Sequence, residues 1–349
     1  MVIILKKKIY KYLFYIAALG ALIISILLAC ALGSSKVSLE SVFSVLGDKL
    51  FGLSETGSAS SDAFIVWNLR LPRAVLAFAV GGGLATAGAA MQSITKNVMA
   101  DPYVLGISSG ALAFVSVGYL IGGTLVSCGW AIPLLAFIGS LAAITIVFLI
   151  GGFSKETSSA RLVLSGMAVS ITLNAVAQYC IYNQTNSGGA SSIVNWMMGS
   201  LGGARWDNIW ISFLGCILGN IFFLYHARAF DLIALDDETA VALGTNIRFI
   251  KRLTIIVVAL ICGFSVASCG IIGLVGFMIP HIVRFITSTN HKQVFSLSFI
   301  IGGIFLIIMD ILARTVLAPS EVPVGVFTAL CGGPYFIWLL RRKRRKKQA

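Results

Sequence analysis

Three arginines beside apolar segments are the side chains of this 349-residue sequence best suited to a specific ionic contact. Arg70 and Arg73 bracket a Leu-Pro pair at the start of one apolar run, and Arg314 follows Asp310 by four residues near the end of another. Asp310 and Arg314 are spaced to pair along one helix face, while Arg70 and Arg73 could snorkel to a membrane interface. The alternative interpretation is that all three arginines receive carboxylates from a soluble partner.

The longest polar stretch between apolar runs, residues 236–252, has the makings of a short helix. Asp236 and Asp237 can cap its N-terminus, and Gly244 suits a left-handed stop at its C-terminus. Basic residues then precede the next apolar run, which predicts a cytoplasmic position. The pattern E-x-A-x-x-L-G within this stretch fits either a segment that docks on a partner or an ordinary amphipathic loop helix.

Other kinds of chemistry lack the residues that they need. The sequence has no G-x-x-x-x-G-K motif, so it cannot cradle nucleotide phosphates by that loop. Its seven cysteines occur singly in apolar runs, which is typical of buried apolar residues. His281 has no neighbouring carboxylate in its run and is predicted to be structural, not a proton relay. No His, Cys and carboxylate cluster has ligand or catalytic spacing, which argues against a membrane-embedded enzyme.

The composition is that of an all-α polytopic membrane protein. Hydrophobic residues make up 58% of the chain and charged residues 11%, against about a quarter charged in soluble proteins. The net charge of +13 does not indicate nucleic-acid binding, because the basic residues cluster at the ends of apolar runs and in the tail, residues 341–349. An ion-coupled secondary transporter, the alternative function, normally needs more intramembrane ionisable groups than this sequence carries.

The apolar runs predict about ten spans with short loops in one transmembrane domain, residues 1–349. The predicted spans are 12–32, one starting near Trp67, 106–125, 133–151, 162–182, 209–225, two within 253–286 that turn near 269–275, 294–316, and one ending at 340. An amphipathic helix is predicted near 39–50 and a helical fragment within 183–208. The first run is predicted to be a retained span, with a cleaved signal peptide as the alternative. Most of the 26 Lys and Arg residues then lie on the side of both termini, which predicts cytoplasmic termini.

Several motifs in order resemble one family. They are LRLPRAVLAFAVGGGLATAGAAMQ, NVMADPYVLGISSGA, WMMGSLGG, GLVGFMIPHIVR and EVPVGVFTALCGGPYFIWLL. Together they resemble the permeases of ABC importers for iron-siderophores, haem and cobalamin, over nearly all of residues 68–340. The resemblance implies a type II importer permease in a bacterial plasma membrane. It would pair with a second copy or paralogue, two ATPase subunits that bind ATP and magnesium, and a soluble substrate-binding protein, without a cofactor or metal of its own.

The resemblance also implies roles for named residues. Arg70, Arg73 and Arg314 match the arginines that pair with glutamates of the binding protein. The stretch 236–247, which we call the coupling segment, matches the part that docks into the ATPase. Its predicted contact residues are Asp236, Asp237, Glu238, Ala240, Leu243, Gly244 and Asn246. A looser match places a cytoplasmic gate at Thr157, Ser158 and Ser159. The sequence does not name the chelate that is carried.

Overall fold

The computed structural model describes residues 2–52, 61–122, 129–151, 159–184, 187–235, 237–287 and 290–348, and every regular element among them is helical. The first α-helices are α1 (Val2–Ala31), α2 (Leu39–Phe51), α3 (Ser61–Phe64), α4 (Leu71–Ile94), α5 (Ile107–Ile121), α6 (Ala131–Gly151), α7 (Ser159–Tyr182) and α8 (Ser187–Met197). They are followed by α9 (Trp210–Tyr225), α10 (Ala227–Leu235), α11 (Asp237–Ala242), α12 (Ile247–Cys269), α13 (Val275–Ile286), α14 (His291–Thr315) and α15 (Val324–Gln348). A π-helical turn, Ile65–Arg70, joins α3 to α4, and a 3-10 turn, Pro102–Leu105, precedes α5.

Helix α4 forms the centre of the bundle. The helical stretch Ser61–Ile94 is 89% buried in its most apolar window, whereas the corresponding window of α1 is only 22% buried. Glycines allow α14 to lie directly against α4, since a Cβ on Gly302 would strike the Gly81 carbonyl and the Ala85 side chain. Gly81 and Ala85, small residues four positions apart, thus form a surface against which α14 packs closely.

Each predicted span corresponds to a helix, but the helices differ in length. Among the described residues, six are long and apolar enough to cross a membrane, and α9 with α10 forms a seventh that is bent by 56°. The described shorter apolar helices are α5, α13 and the stretch Val324–Leu339 of α15. The span predicted at 106–125 corresponds to α5, which ends at Ile121, and residues 123–125 lie outside the described residues.

Two of the short helices begin near the middle of the bundle. Pro102 packs against Gly276, and Gly276 in turn lies against the backbone oxygen of Leu84, which is midway along α4. The chain therefore re-enters the bundle before both α5 and α13. Irregular backbone at such depth is tolerated only where protein buries it.

The smaller elements follow local signals. Helix α2 starts after Ser38, whose hydroxyl accepts a hydrogen bond from the Ser41 N–H, and confirms the helix predicted near 39–50. Helix α8 ends at Met197, so only the beginning of WMMGSLGGARW is helical. Helix α15 continues past the predicted end of the last span through the basic tail.

Polar groups collect at the two ends of the bundle. At the end where α4 starts and α14 finishes lie Arg73 and Arg314, and we call it the arginine end. At the opposite end lie α10, α11 and the start of α14, and we call it the coupling end.

Candidate functional sites at the two ends of the bundle

The arginine end holds a buried ionic cluster. Arg73 donates from Nε to Asp310 Oδ1 at 2.7 Å and from one terminal nitrogen to both carboxylate oxygens of Glu321, at 2.9 and 3.0 Å. Arg314 Nε lies 3.4 Å from Asp310 Oδ2, one helical turn away. Asp310 is only 1% exposed, and two guanidiniums flank its buried carboxyl group.

Two of the arginines also cap α1. Arg70 donates to the carbonyls of Cys30 and Ala31 at 2.8 and 2.7 Å, and Arg314 donates to the carbonyl of Ala29 at 2.7 Å. These carbonyls belong to the last turn of α1, where intrahelical donors run out and the helix dipole is negative. Arginines from α4's entry and from α14 thus satisfy the end of a third helix.

The structure decides between the internal interpretations of these arginines. Arg314 pairs with Asp310 as the four-residue spacing predicts. Arg70 and Arg73 are 5% and 8% exposed and packed against protein, so interfacial snorkelling is wrong for them. The role of Arg70, Arg73 and Arg314 in docking stays a prediction.

A cleft of about 310 Å³ opens beside this cluster. Its lining includes all three predicted arginines together with Ser34, Ser35, Gly202, Arg205 and Glu321. Arg205 and Glu321 were not among the predicted site residues. Arg205 is exposed, and within the described residues its guanidinium has one hydrogen bond, at 3.3 Å to the neighbouring Ala204 carbonyl. Its place after WMMGSLGGA, on the predicted outer side, was the signal that could have identified it.

At the coupling end, α11 and its flanks have the predicted form. Helix α11 runs over Asp237–Ala242, and Gly244 follows with φ +83°, the left-handed conformation that glycine adopts most cheaply. Asn246 then caps α12 by accepting a hydrogen bond from the Phe249 N–H at 3.1 Å. Local capping signals thus fold the predicted turn.

One face of α11 is anchored and another is exposed. Ala240 is fully buried against Ile233 of α10 and Ile247 and Ile250 of α12. Leu243, by contrast, is 63% exposed, as is its neighbour Val241 at 62%. An exposed apolar patch beside anchored residues is typical of a protein-docking surface.

Some predicted residues lie outside what the structure describes. Asp236, Thr157 and Ser158 fall in the gaps, and for Asp237, Glu238 and Ser159 only the helical backbone is described. The predicted gate and the acidic start of the coupling segment therefore remain predictions.

Possible metal ligands and His281 are the other side chains that the sequence offers for chemistry. Among the described residues no three His, Cys, Asp or Glu side chains lie together as a metal site. His281 Nδ1 lies 2.7 Å from the Tyr335 hydroxyl, which ties α13 to α15. This contact suits the structural role predicted for His281.

A helical bundle with several helices apolar enough to cross a membrane, an ionic cleft at one end and an exposed apolar helix face at the other is typical of a membrane transport permease. The FecCD transport family model matches residues 21–342, and the chain belongs to this family. It is therefore an ABC transporter permease, and the secondary-transporter alternative is not supported.

Relatives agree in sequence and in fold. The chain is 37% identical over 296 residues to the hemin transport system permease protein HmuU of Yersinia pestis, covering 81% of this chain and 85% of that one. It is 34% identical over 299 residues to the vitamin B12 import system permease protein BtuC of Citrobacter koseri, covering 86% and 89%. A solved structure of a metal-chelate type ABC transporter in an inward-facing conformation matches with TM-score 0.81 and 25% identity, covering 95% of this chain and 99% of that one.

Proposed function

We propose that this chain is the permease of an ATP-driven importer for a metal chelate of the iron-siderophore, haem or cobalamin type. Hemin and vitamin B12 are what its relatives are named for. The observation that carries the proposal is the pairing of family membership with an arginine cleft and a coupling segment at opposite ends of one bundle. The basic residues favour a plasma-membrane orientation with the coupling end and both termini in the cytoplasm.

The test is reconstitution of the permease into proteoliposomes together with its ATPase and its soluble binding protein. We expect uptake of one of three probes, a ferric siderophore, haemin or cyanocobalamin, to require ATP and to persist when an ionophore collapses the proton gradient. Uptake that follows the gradient and ignores ATP would refute the proposal.

The arginine cleft is the proposed docking site for the soluble binding protein. Arg70, Arg73 and Arg314 supply positive charge at its wall, and exposed Arg205 is placed to meet an incoming carboxylate first. Because the three wall arginines also stabilise the fold, replacing them affects docking and folding together. Arg205 is exposed, so replacing it tests docking without disturbing the buried cluster.

Reversing the charge of Arg205 therefore tests docking cleanly. We expect Arg205→Glu to slow association of the binding protein roughly tenfold at low salt, because rim charges act mainly on encounter. Lys49→Glu changes an exposed lysine on α2 outside the cleft and is the matched control. Surface plasmon resonance on the nanodisc-embedded permease measures both, and equal rates for the two variants would contradict the assignment.

The coupling segment is the proposed contact with the ATPase, which binds ATP and magnesium. Exposed Leu243 and Val241 supply apolar area, and Ala240 fixes that area to α10 and α12. A groove on the ATPase would cover the exposed face. Movement of the ATPases would reach the permease through the buried face.

Gly244→Val tests this contact. Valine in the left-handed region costs about 1–2 kcal/mol, so α11 should tilt and its affinity for the ATPase should fall roughly tenfold. Gly244→Asn is the control, since asparagine tolerates that conformation. The affinity is measured by co-purifying the ATPase with the detergent-solubilised permease over a series of protein concentrations. Undiminished binding by Gly244→Val would count against the coupling role.

A second permease copy or paralogue is proposed to lie against α7. The span Arg161–Tyr182 is only 28% buried, yet it has the lowest mean hydropathy of the six long spans, 1.4. Its uncovered residues include polar Thr172 and Gln178. Polar side chains at membrane depth face protein or a water-filled path instead of lipid. This face of α7 therefore suits a dimer interface that encloses the substrate path.

A further inference from the structure

A second polar cluster lies at the coupling end and centres on one imidazole. His291, the first residue of α14, is 4% exposed. Its Nδ1 lies 2.7 Å from Asp231 Oδ1, and its backbone N–H donates to the same oxygen at 2.8 Å. Its Nε2 lies 2.7 Å from the Ser93 hydroxyl. One side chain thus joins α10, α14 and α4.

A fourth helix joins the cluster from the other side. Arg284 of α13 has a terminal nitrogen 3.4 Å from the Ser93 hydroxyl, and its other terminal nitrogen donates to Gln92 Oε1. Gln92 donates back to the Phe277 carbonyl of α13 at 3.1 Å. The inner turn of α4 is therefore held by polar contacts on two faces.

Buried aromatic rings prevent α10 from sliding past α14. Phe230, next to Asp231, is fully buried, with its ring 5.1 Å from Phe295 and 6.1 Å from Phe223. The Phe295 ring lies 5.7 Å from that of His291. Since close-packed rings resist compression and charge-assisted hydrogen bonds fix direction, α10 and the start of α14 should move as one body.

This body is continuous with the coupling segment. Helix α10 ends at Leu235 and α11 begins at Asp237, so Asp231 lies less than two helical turns from α11. Any displacement of α11 is passed to α10, and from Asp231 the polar route to α4 runs through His291. Ser93 is the point of contact on α4.

A nucleophilic role for this Ser, His and Asp set is the weaker interpretation. The distances resemble those of a hydrolase triad. Ser93, however, is 7% exposed, and its hydroxyl also contacts the Ala89 carbonyl of its own helix at 2.8 Å. A hydrolase would need its serine accessible to a substrate, whereas this cluster is buried between the helices that it joins.

We propose that His291 is a positioning residue that transmits movement of the ATPase-docked segment from Asp231 on α10 to Ser93 on α4. The proposal rests on the proposed docking of the coupling segment on an ATPase. The movement would pass through the His291 imidazole and its two hydrogen-bond partners, Asp231 and Ser93.

Hydrogen–deuterium exchange in the assembled complex tests the proposal. The complex of permease, ATPase and binding protein in nanodiscs is compared with and without trapping by ATP and vanadate. In the wild type we expect trapping to change exchange in residues 227–235 of α10 and in residues 93–100, the end of α4 and the turn that follows it. In Ser93→Ala the α10 response should remain and the α4 response should be lost.

Two further variants make the outcome specific. Asp231→Asn should weaken the α4 response by itself and add nothing when combined with Ser93→Ala, because both act through His291. Thr95→Val removes a hydroxyl whose one hydrogen bond among the described residues is to the Met91 carbonyl of the preceding turn, at 2.7 Å, and should leave both responses intact.

The possible failures are distinguishable. A wild-type-like α4 response in Ser93→Ala, with the complex folded and trapped, would overturn the role of His291 and leave the proposed function standing. If the ATPase does not assemble with the wild-type permease, the proposed docking itself is overturned. A merely structural His291 would lower the melting temperature of Ser93→Ala without uncoupling the two responses.

Discussion

Gly88→Ala is expected to destabilise the permease by about 3 kcal/mol, the upper part of the usual range for overpacking a core. A Cβ at Gly88 would overlap the backbone oxygen, carbon and Cα of Gly276, where α13 begins against the middle of α4. No side-chain rotation relieves a clash between two backbones, so α13 must move away. We expect a lower melting temperature and a lower yield of monodisperse permease, and both are measured on the purified protein.

The control for this substitution is Gly20→Ala in α1. A Cβ there meets nothing within 4 Å, so alanine should be neutral or stabilise the helix by up to about 1 kcal/mol. Comparable melting temperatures for Gly88→Ala and Gly20→Ala would show that α4 and α13 are not in backbone contact.

Asp310→Asn is expected to cost about 3–5 kcal/mol, since it leaves buried guanidiniums without their charge partner. Arg73 would keep the half-exposed Glu321, but Arg314 would keep mainly the Ala29 carbonyl. Thermal unfolding followed by size-exclusion chromatography measures the loss. Binding-protein docking should fall with it, because the cleft wall is built from the same side chains.

Glu321→Gln is the matched comparison at the same cluster. The Glu321 side chain is 43% exposed, and exposed ion pairs contribute about 0.2–1 kcal/mol. Adding Arg314→Gln to Asp310→Asn should cost less than the sum of the single changes, because the second change removes the charge that the first left unpaired. A sum that is fully additive, or equal losses for Asp310→Asn and Glu321→Gln, would contradict the buried pairing.

Local signals carried the sequence-based prediction of the coupling end. Gly244, predicted to stop the short helix, is adjacent to the backbone that it organises and adopts the expected left-handed conformation. Hydropathy likewise identified the apolar helices, because each must satisfy its own backbone within the membrane. Hydropathy says nothing about the depth at which a helix begins, so α5 was predicted from its apolar run but its start near the middle of the bundle was not.

Non-local contacts set the limit of prediction at both sites. Arg73 pairs with Asp310, which is 237 positions away, and His291 meets Ser93 at a separation of 198. Neither spacing leaves a periodic trace in the sequence. The Asp310–Arg314 pair could be predicted from its four-residue spacing, but the burial of the three arginines and the distant partners of Arg70 and Arg73 could not be inferred.

The way α1 ends has a consequence for handling this protein. Its last carbonyls accept hydrogen bonds from Arg70 and Arg314, so the end of the first helix holds in place two guanidiniums that line the cleft. Deletion of α1, its removal by proteolysis, or a bulky fusion that displaces it would deprive both guanidiniums of these carbonyl acceptors. A change made near the amino terminus would then impair the proposed docking of the binding protein at the cleft.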